Sequence, residues 1–392
     1  MLRHRQIPRM SKLPGSLDVQ FMRRAIALAM RGRGAVEPNP MVGCVIVGSD
    51  GQVIGQGFHQ VFGGPHAEPQ AIASCTQSPR GATAYVTLEP CCHTDKKTPP
   101  CVPAVIAAGL ARVVVGCNDP NPPVAGRGVR LLREAGIRVD EGVLGPQCRQ
   151  LIAPFTARIV HRRPYVTLKW ARSADGKVAG AAGRRVQISN EASRRLVHEL
   201  RARCDAILVG VNTVLADDPL LTARGVARMR PLLRVVLDSR LRMPLTARVL
   251  EGGGVLVFCT SAASPDRAEA LRQRGAEVIG LSAGDGARVP LDAVLAELHR
   301  RNVMHLLVEP GPTLAAAFVA ANLADRAWVF RSPRVLGEAG APSAIALDWP
   351  AVAAVDVAGD TLVEYLNPAS AVYCCAEASA DIAKVLGCAA GG

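Results

Sequence analysis

At 392 residues the chain is longer than an ordinary single domain, so two domains are expected. Its 49% hydrophobic content is spread without any apolar run approaching the roughly eighteen residues of a membrane helix, which points to a globular chain with no membrane partner. A net charge of +13 admits nucleic acid or a small anionic substrate as ligand, and an aromatic content of only 4% leaves few rings for bases to stack on, which argues against nucleic acid.

Residues 1–15 carry Arg3, Arg5, Arg9 and Lys12, no acid and no apolar core, and read as a disordered basic extension rather than a secretory signal. A helix follows over 17–31, stopped by Gly32. Pro38-Asn39-Pro40 is a turn that cannot be helical. Apolar strands are expected at 41–47 and 53–59 around the hairpin signal Asp50-Gly51, a helix at 67–77, a strand at 83–88 and a helix from Cys101 to about Ala108. A strand at 112–117, the turn-rich 119–123, a helix at 127–135 and a strand at 137–143 complete a first, three-layer α/β/α domain assigned to 16–163.

Within it, His66-Ala67-Glu68, Pro90-Cys91 and Thr98-Pro99-Pro100-Cys101 supply one imidazole and two thiolates on either side of one strand. Three ligands leave one tetrahedral position of a zinc ion free, as in a catalytic rather than a structural site. Water in that position ionises near neutrality. H-x-E followed by P-C is the pattern of the zinc deaminases, whose glutamate, here Glu68, is acid and base while the activated water displaces an amine from a ring carbon. Lone His and Cys residues are more often core residues, and Cys92 or His93 could close a structural four-ligand site. The remaining cysteines are scattered, apart from Cys374-Cys375, as in a reducing cytoplasm where thiols stay free.

The alternation restarts after His161-Arg162-Arg163-Pro164, and a second domain is assigned to 164–376, with a tail at 377–392. Strands are expected at 165–171, 205–210, 235–238, 255–258 and 304–308, with a turn at 173–177 into a further strand. Helices are expected at 191–203, capped by Ser189, and at 314–322 after the break Glu309-Pro310-Gly311-Pro312-Thr313. A helix opening at such a break presents backbone amides to a phosphate. There is no Gly-x-Gly-x-x-Gly, so a Rossmann domain is not supported.

The Pro38-Asn39-Pro40, His66-Ala67-Glu68, Leu88-Glu89-Pro90-Cys91 and Thr98-Pro99-Pro100-Cys101 words, with the stretch from Asp119-Pro120-Asn121-Pro122 to Gly126-Arg127-Gly128, resemble the bifunctional riboflavin biosynthesis family. That family joins a diaminohydroxyphosphoribosylaminopyrimidine deaminase to a 5-amino-6-(5-phosphoribosylamino)uracil reductase. Ser-x-Asp-Gly at 173–176, Asp217-Asp218-Pro219 with Leu221-Thr222-Ala223-Arg224, and Val308-Glu309 with Gly311-Pro312-Thr313-Leu314 resemble its reductase half, and the resemblance spans about 16–375. It implies a cytidine-deaminase-like domain followed by a dihydrofolate-reductase-like α/β domain. It implies zinc on His66, Cys91 and Cys101, proton transfer by Glu68, and a pyrimidine pocket lined by Asn39, His59, His93 and Lys97. In the second domain it implies NADPH beside Ala171, Gln187, Thr213, Asp217, Ser239, Gly311, Pro312, Thr313, Leu314, Ala315, Ala316 and Ala317. Lys169, Arg185, Arg201, Leu221, Arg224 and Glu309 fall on the substrate side, where paired guanidinium groups suit a phosphate.

The chain departs from the family at several positions. Cys92 stands where a serine is usual, Thr94-Asp95-Lys96-Lys97 is longer than usual, and Arg185-Val186-Gln187-Ile188 replaces a word containing Trp. Losing that aromatic, with Pro310 beside Glu309, predicts weakened cofactor affinity in an active reductase. The expected partner is a small phosphorylated pyrimidine, and the expected assembly is a homo-oligomer. The rival readings are a nucleic-acid base deaminase, which typically closes its zinc with Cys-x-x-Cys, and a deaminase joined to an inactive reductase-like domain.

Overall fold

The computed structural model describes residues 16–94, 98–180, 186–282, 288–337, 340–342, 347–370 and 372. Lys97 and Arg185 therefore lie outside the described residues. The described residues form two compact units: one holds 16–32 and Met41–Arg149, and the other holds Arg33–Pro40 and the described residues from Gln150 on. The sequence reading set the division at 163/164.

The first unit runs α1 (Ser16–Ala29), β1 (Gly43–Val47), β2 (Val53–Phe58), α2 (Ala67–Ala73), β3 (Thr83–Leu88), α3 (Cys101–Ala107), β4 (Arg112–Cys117), α4 (Arg127–Glu134) and β5 (Arg138–Glu141). The chain continues through α5 (Gly145–Leu151), in which the division between the units falls. The sheet order is β2-β1-β3-β4-β5, with β1 antiparallel to its neighbours and β3, β4 and β5 parallel. Strands β1, β3 and β4 are buried almost throughout, so they read as apolar runs rather than alternating ones; both faces of the sheet are covered. The α2 helix lies directly on β2. A Cβ on Gly57 would stand 2.5 Å from the Ala71 nitrogen and 2.6 Å from the Ala67 oxygen, so only glycine lets the helix carrying Glu68 seat this low.

The second unit runs α6 (Ala153–His161), β6 (Tyr165–Arg172), β7 (Lys177–Ala179), α7 (Glu191–Arg203), β8 (Ala206–Gly210), α8 (Val211–Asp217), β9 (Leu233–Leu237), β10 (Val255–Cys259), α9 (Pro265–Gln273), β11 (Ala276–Gly280), α10 (Leu291–Arg300), β12 (His305–Val308), α11 (Pro312–Ala320), β13 (Arg326–Arg331), β14 (Ala341–Pro342), β15 (Ala351–Val357) and β16 (Asp360–Leu366). Nine strands form one sheet in the order β11-β10-β9-β8-β12-β6-β13-β16-β15, parallel from β11 to β13 and antiparallel beyond. Side chains alternate across it. Ile207, Val209, Val236 and Val257 pack with Val197 and Leu200 of α7 on one face, while Leu208, Val235 and Leu256 pack with Leu298 of α10 and Phe318 of α11 on the other. Asn190, rather than Ser189, caps α7, its side chain accepting the Ser193 N–H. Where the sequence reading has a helix at 67–77, α2 ends at Ala73. Ser74 Oγ accepts the Gln56 N–H and donates to Ala71 O, so a bond to β2 terminates the helix.

Candidate active sites

In the first unit the three donors come from three chain segments converging at the ends of parallel strands. His66 is the N-cap of α2, Cys91 lies just beyond β3, and Cys101 opens α3. The Cys91 carbonyl accepts the Cys101 and Val102 N–H groups at 3.0 and 3.2 Å, which locks one thiol against the other. His66 Nδ1 is 3.5 Å from Cys91 Sγ and 3.4 Å from Cys101 Sγ, and the two sulfurs are 3.4 Å apart. Bonds of ~2.3 Å to sulfur and ~2.0 Å to nitrogen at tetrahedral angles require ligand atoms ~3.5–3.8 Å apart, so the donor set fits zinc with little adjustment. Nε2 lies 3.1 Å from Thr98 Oγ1, and with a metal on Nδ1 it would carry the proton and donate to that hydroxyl, fixing the ring. Among the described residues these three form the group able to hold a metal. Cys92 turns away, its thiol 3.8 Å from the Pro123 carbonyl.

Glu68, in the first turn of α2, is 4% exposed. Burial, then the neighbouring Cys91 sulfur, pushes its carboxyl up to about 7, and its side chain is hydrogen-bonded to Cys101. His59 is buried, its ring 5.1 Å from the His66 ring and its Nδ1 3.0 Å from the Pro65 carbonyl. His93 is half-buried two residues past Cys91. Asn39 closes a turn, its N–H donating to Val36 O at 3.0 Å, on the segment that belongs to the second unit.

In the second unit the sequence-assigned residues gather at the carboxyl ends of β8, β9 and β12 and on the later half of β6, the position where open parallel sheets bind ligands. Arg201 of α7 makes a bidentate pair with Glu309, just past β12, at 2.7 and 2.8 Å, and its third nitrogen donates to Thr222 O at 3.0 Å. Burial alone would raise the Glu309 carboxyl, but Arg201 and Lys169 hold it at about 2. Burial opposes the Arg201 charge as well, and Glu309 more than offsets it. Burial pushes the Lys169 ammonium below its ordinary value. The Leu314 side chain lies 3.8 Å from where a Gly210 Cβ would stand, so the turn into α8, which carries Thr213 and Asp217, meets the turn into α11. Gly311, the N-cap of α11, faces open space. Ser239 follows β9, its carbonyl accepting the Thr260 N–H and hydroxyl.

Other assignments are qualified by burial. Leu221 and Ala315 are 1% and 0% exposed in the apolar core, so only their main chain is available to a ligand. Ala171 and Ala317 are half-buried, and Thr313 and Ala316 are exposed. Gln187 is exposed and bonded by Arg194, and its carbonyl accepts from Arg334. Two residues that the sequence reading passed over join these sites. Thr98 holds His66, and His198, one turn before Arg201, accepts the Arg224 N–H at 3.2 Å. Thr98 stands inside the Thr-Pro-Pro-Cys word, and spacing along α7 could have marked His198.

Residues 16–117 match the cytidine and deoxycytidylate deaminase zinc-binding region, and residues 164–349 match the RibD C-terminal domain. The riboflavin biosynthesis protein RibD of Aquifex aeolicus is 41% identical over 322 residues, covering 82% of this chain and 88% of that protein. The chain belongs to the RibD family. RibD of Escherichia coli is 40% identical over 333 residues, covering 82% of this chain and 89% of that protein. Among solved structures, Acinetobacter baumannii RibD superposes with a TM-score of 0.78 at 37% identity, covering 89% of this chain and 98% of that one. A Thermotoga maritima deaminase/reductase gives 0.76 at 36% identity, with the same coverage. Like other RibD proteins, the chain is a bifunctional deaminase and reductase of riboflavin biosynthesis, with a zinc-binding deaminase region and an NADPH-using reductase domain, and acts on a small phosphorylated pyrimidine. The donors at both sites suit those groups: two thiols and an imidazole for zinc, and an open, glycine-led helix start for the phosphates of an anionic dinucleotide. No helix among the described residues is long and apolar enough to cross a membrane.

Proposed function

We propose that the chain hydrolytically deaminates 2,5-diamino-6-(5-phosphoribosylamino)pyrimidin-4-one and then reduces the ribosyl group of the product to ribityl. The observation that carries this reading is the three-donor group with the buried Glu68 carboxyl beside it. His66, Cys91 and Cys101 would hold zinc, which supplies the Lewis acidity that makes water nucleophilic near neutral pH. Glu68 takes the proton released as water adds to the amino-bearing carbon and returns it to the departing amine, so that ammonia leaves. A buried carboxyl in the first turn of α2, beside the donor group, is placed to do both. Asn39, His59, His93 and Lys97 are assigned to the pyrimidine and its phosphate.

In the reductase half, NADPH supplies hydride to C1 of the open, imine-like sugar. Glu309 holds Arg201 charged and oriented and shares its field with Lys169, so that both cations face the substrate side with Arg224. The turn into α11 and Thr213, Asp217 and Ser239 are assigned to the cofactor. A cytoplasmic homo-oligomer belongs to this reading; the described cysteines are all free thiols, which supports a reducing compartment.

A coupled assay on the diaminopyrimidine tests it. Ammonia should appear with or without NADPH, NADPH should be consumed only after ammonia release, and chelation should stop the first step while leaving the reduction of supplied deaminated pyrimidine intact. Zinc-loaded protein that released no ammonia would overturn the reading.

A further inference from the structure

Glu89 sits between β3 and the Pro90-Cys91 pair, and its backbone N–H continues the β3–β4 ladder by donating to Cys117 O at 3.0 Å. Its side chain is 2% exposed. The carboxylate accepts three backbone N–H groups from one segment: Oε2 takes Asp119 at 3.1 Å and Gly126 at 2.9 Å, and Oε1 takes Val129 at 3.1 Å. The segment is further knit by Asn121 N–H to Asp119 Oδ1 at 2.8 Å. Gly128 lies so close that a Cβ there would stand 2.1 Å from the Pro90 carbonyl oxygen. Val124, fully buried, packs on Cys91 and Cys101 in one small apolar cluster, and the Pro123 carbonyl faces the Cys92 thiol.

We propose that Glu89 is a positioning residue for the metal ligands: its carboxylate draws in the 119–129 segment, which closes Val124 over the two thiols and holds the Cys92 thiol out of the donor group. This rests on the zinc-deaminase reading and gives the 119–128 motif a task outside substrate contact. The clamp needs two acceptor oxygens. A glutamine at 89 would set an NH2 group against at least one backbone N–H, so a neutral isostere cannot replace it. Burying these two oxygens is tolerable because all three bonds satisfy them.

The test compares zinc-loaded full-length wild type, Glu89→Gln, Val124→Ala and Val115→Ala. The last truncates the β4 core, where Val115 is fully buried, without touching the clamp. Zinc release to a chromogenic chelator is read alongside melting temperature and the thiolate-to-metal band of the cobalt-substituted protein. Glu89→Gln should release zinc at least tenfold faster than Val115→Ala at a matched loss of melting temperature, with a shifted cobalt band, and Val124→Ala should fall between wild type and Glu89→Gln. Zinc retention by Glu89→Gln equal to wild type, or loss only in step with Val115→Ala, would overturn the proposal. If Glu89→Gln does not fold, wild-type release from Val124→Ala overturns it. Wild type without zinc would instead sink the underlying deaminase reading.

Discussion

Replacing Glu68 by glutamine is expected to lower kcat for ammonia release about 10²–10⁴-fold, the range of a positioned acid and base, while zinc content stays at the wild-type level. The amide keeps the volume of a side chain that is 4% exposed and loses the proton-carrying group. NADPH oxidation on separately supplied deaminated pyrimidine should be unchanged, because Arg201, Glu309 and Lys169 lie in the other unit. Ammonia release at the wild-type rate would remove Glu68 from the mechanism. Loss of zinc together with activity would make it a support for the metal rather than a proton carrier.

The second large effect is expected at Arg201. Its side chain and that of Glu309 are 12% and 16% exposed, and the pair is bidentate at 2.7 and 2.8 Å. Arg201→Ala strands a buried carboxylate, which should cost about 3–5 kcal/mol of stability in the second unit. NADPH oxidation should fall about 10–100-fold in kcat/KM, the size of a lost charge-assisted contact, if Arg201 has the substrate-side role proposed for it. Ammonia release should persist. The sign with pH follows from Glu309, whose carboxyl is held at about 2 against an ordinary 4.5. A depressed carboxyl stabilises the fold fully above about pH 4.5, and that contribution is lost as pH falls towards 2. The stability deficit of Arg201→Ala should therefore be complete at neutral pH and shrink below about 4.5. Chemical denaturation across that range checks it, and a flat difference would show that the pair is not the source.

Much of the first unit could be read in its strands because they are buried on both faces: β3 and β4 are largely apolar, interrupted only by Thr83, Thr87 and Arg112, and their bounds agree with the reading. The three side chains that converge were legible for a related reason, since each follows a proline near an element boundary. What stayed hidden depends on contacts across long stretches of chain. Glu89 meets Asp119 and Val129 30 and 40 residues on, and nothing local distinguishes its carboxylate from a solvated one. Asn39 was visible as a turn residue, but no local signal assigns its segment to the second unit. In that unit α8, seven residues rich in β-branched side chains and closed by Asp218 at φ +41°, has too little length and propensity to announce itself. Strand β15, whose alanines are largely exposed, lacks the alternation that marks a half-buried strand. The sequence alone likewise left Cys92 open as a fourth ligand, whereas the fold turns its thiol to Pro123.

The proposed deamination depends on an open three-ligand zinc beside a carboxyl. X-ray absorption at the zinc edge of the purified protein tests it most directly. Two sulfur scatterers, one imidazole nitrogen and one further light-atom ligand that exchanges with solvent are expected. A third sulfur, or four tightly held side-chain ligands, would contradict it.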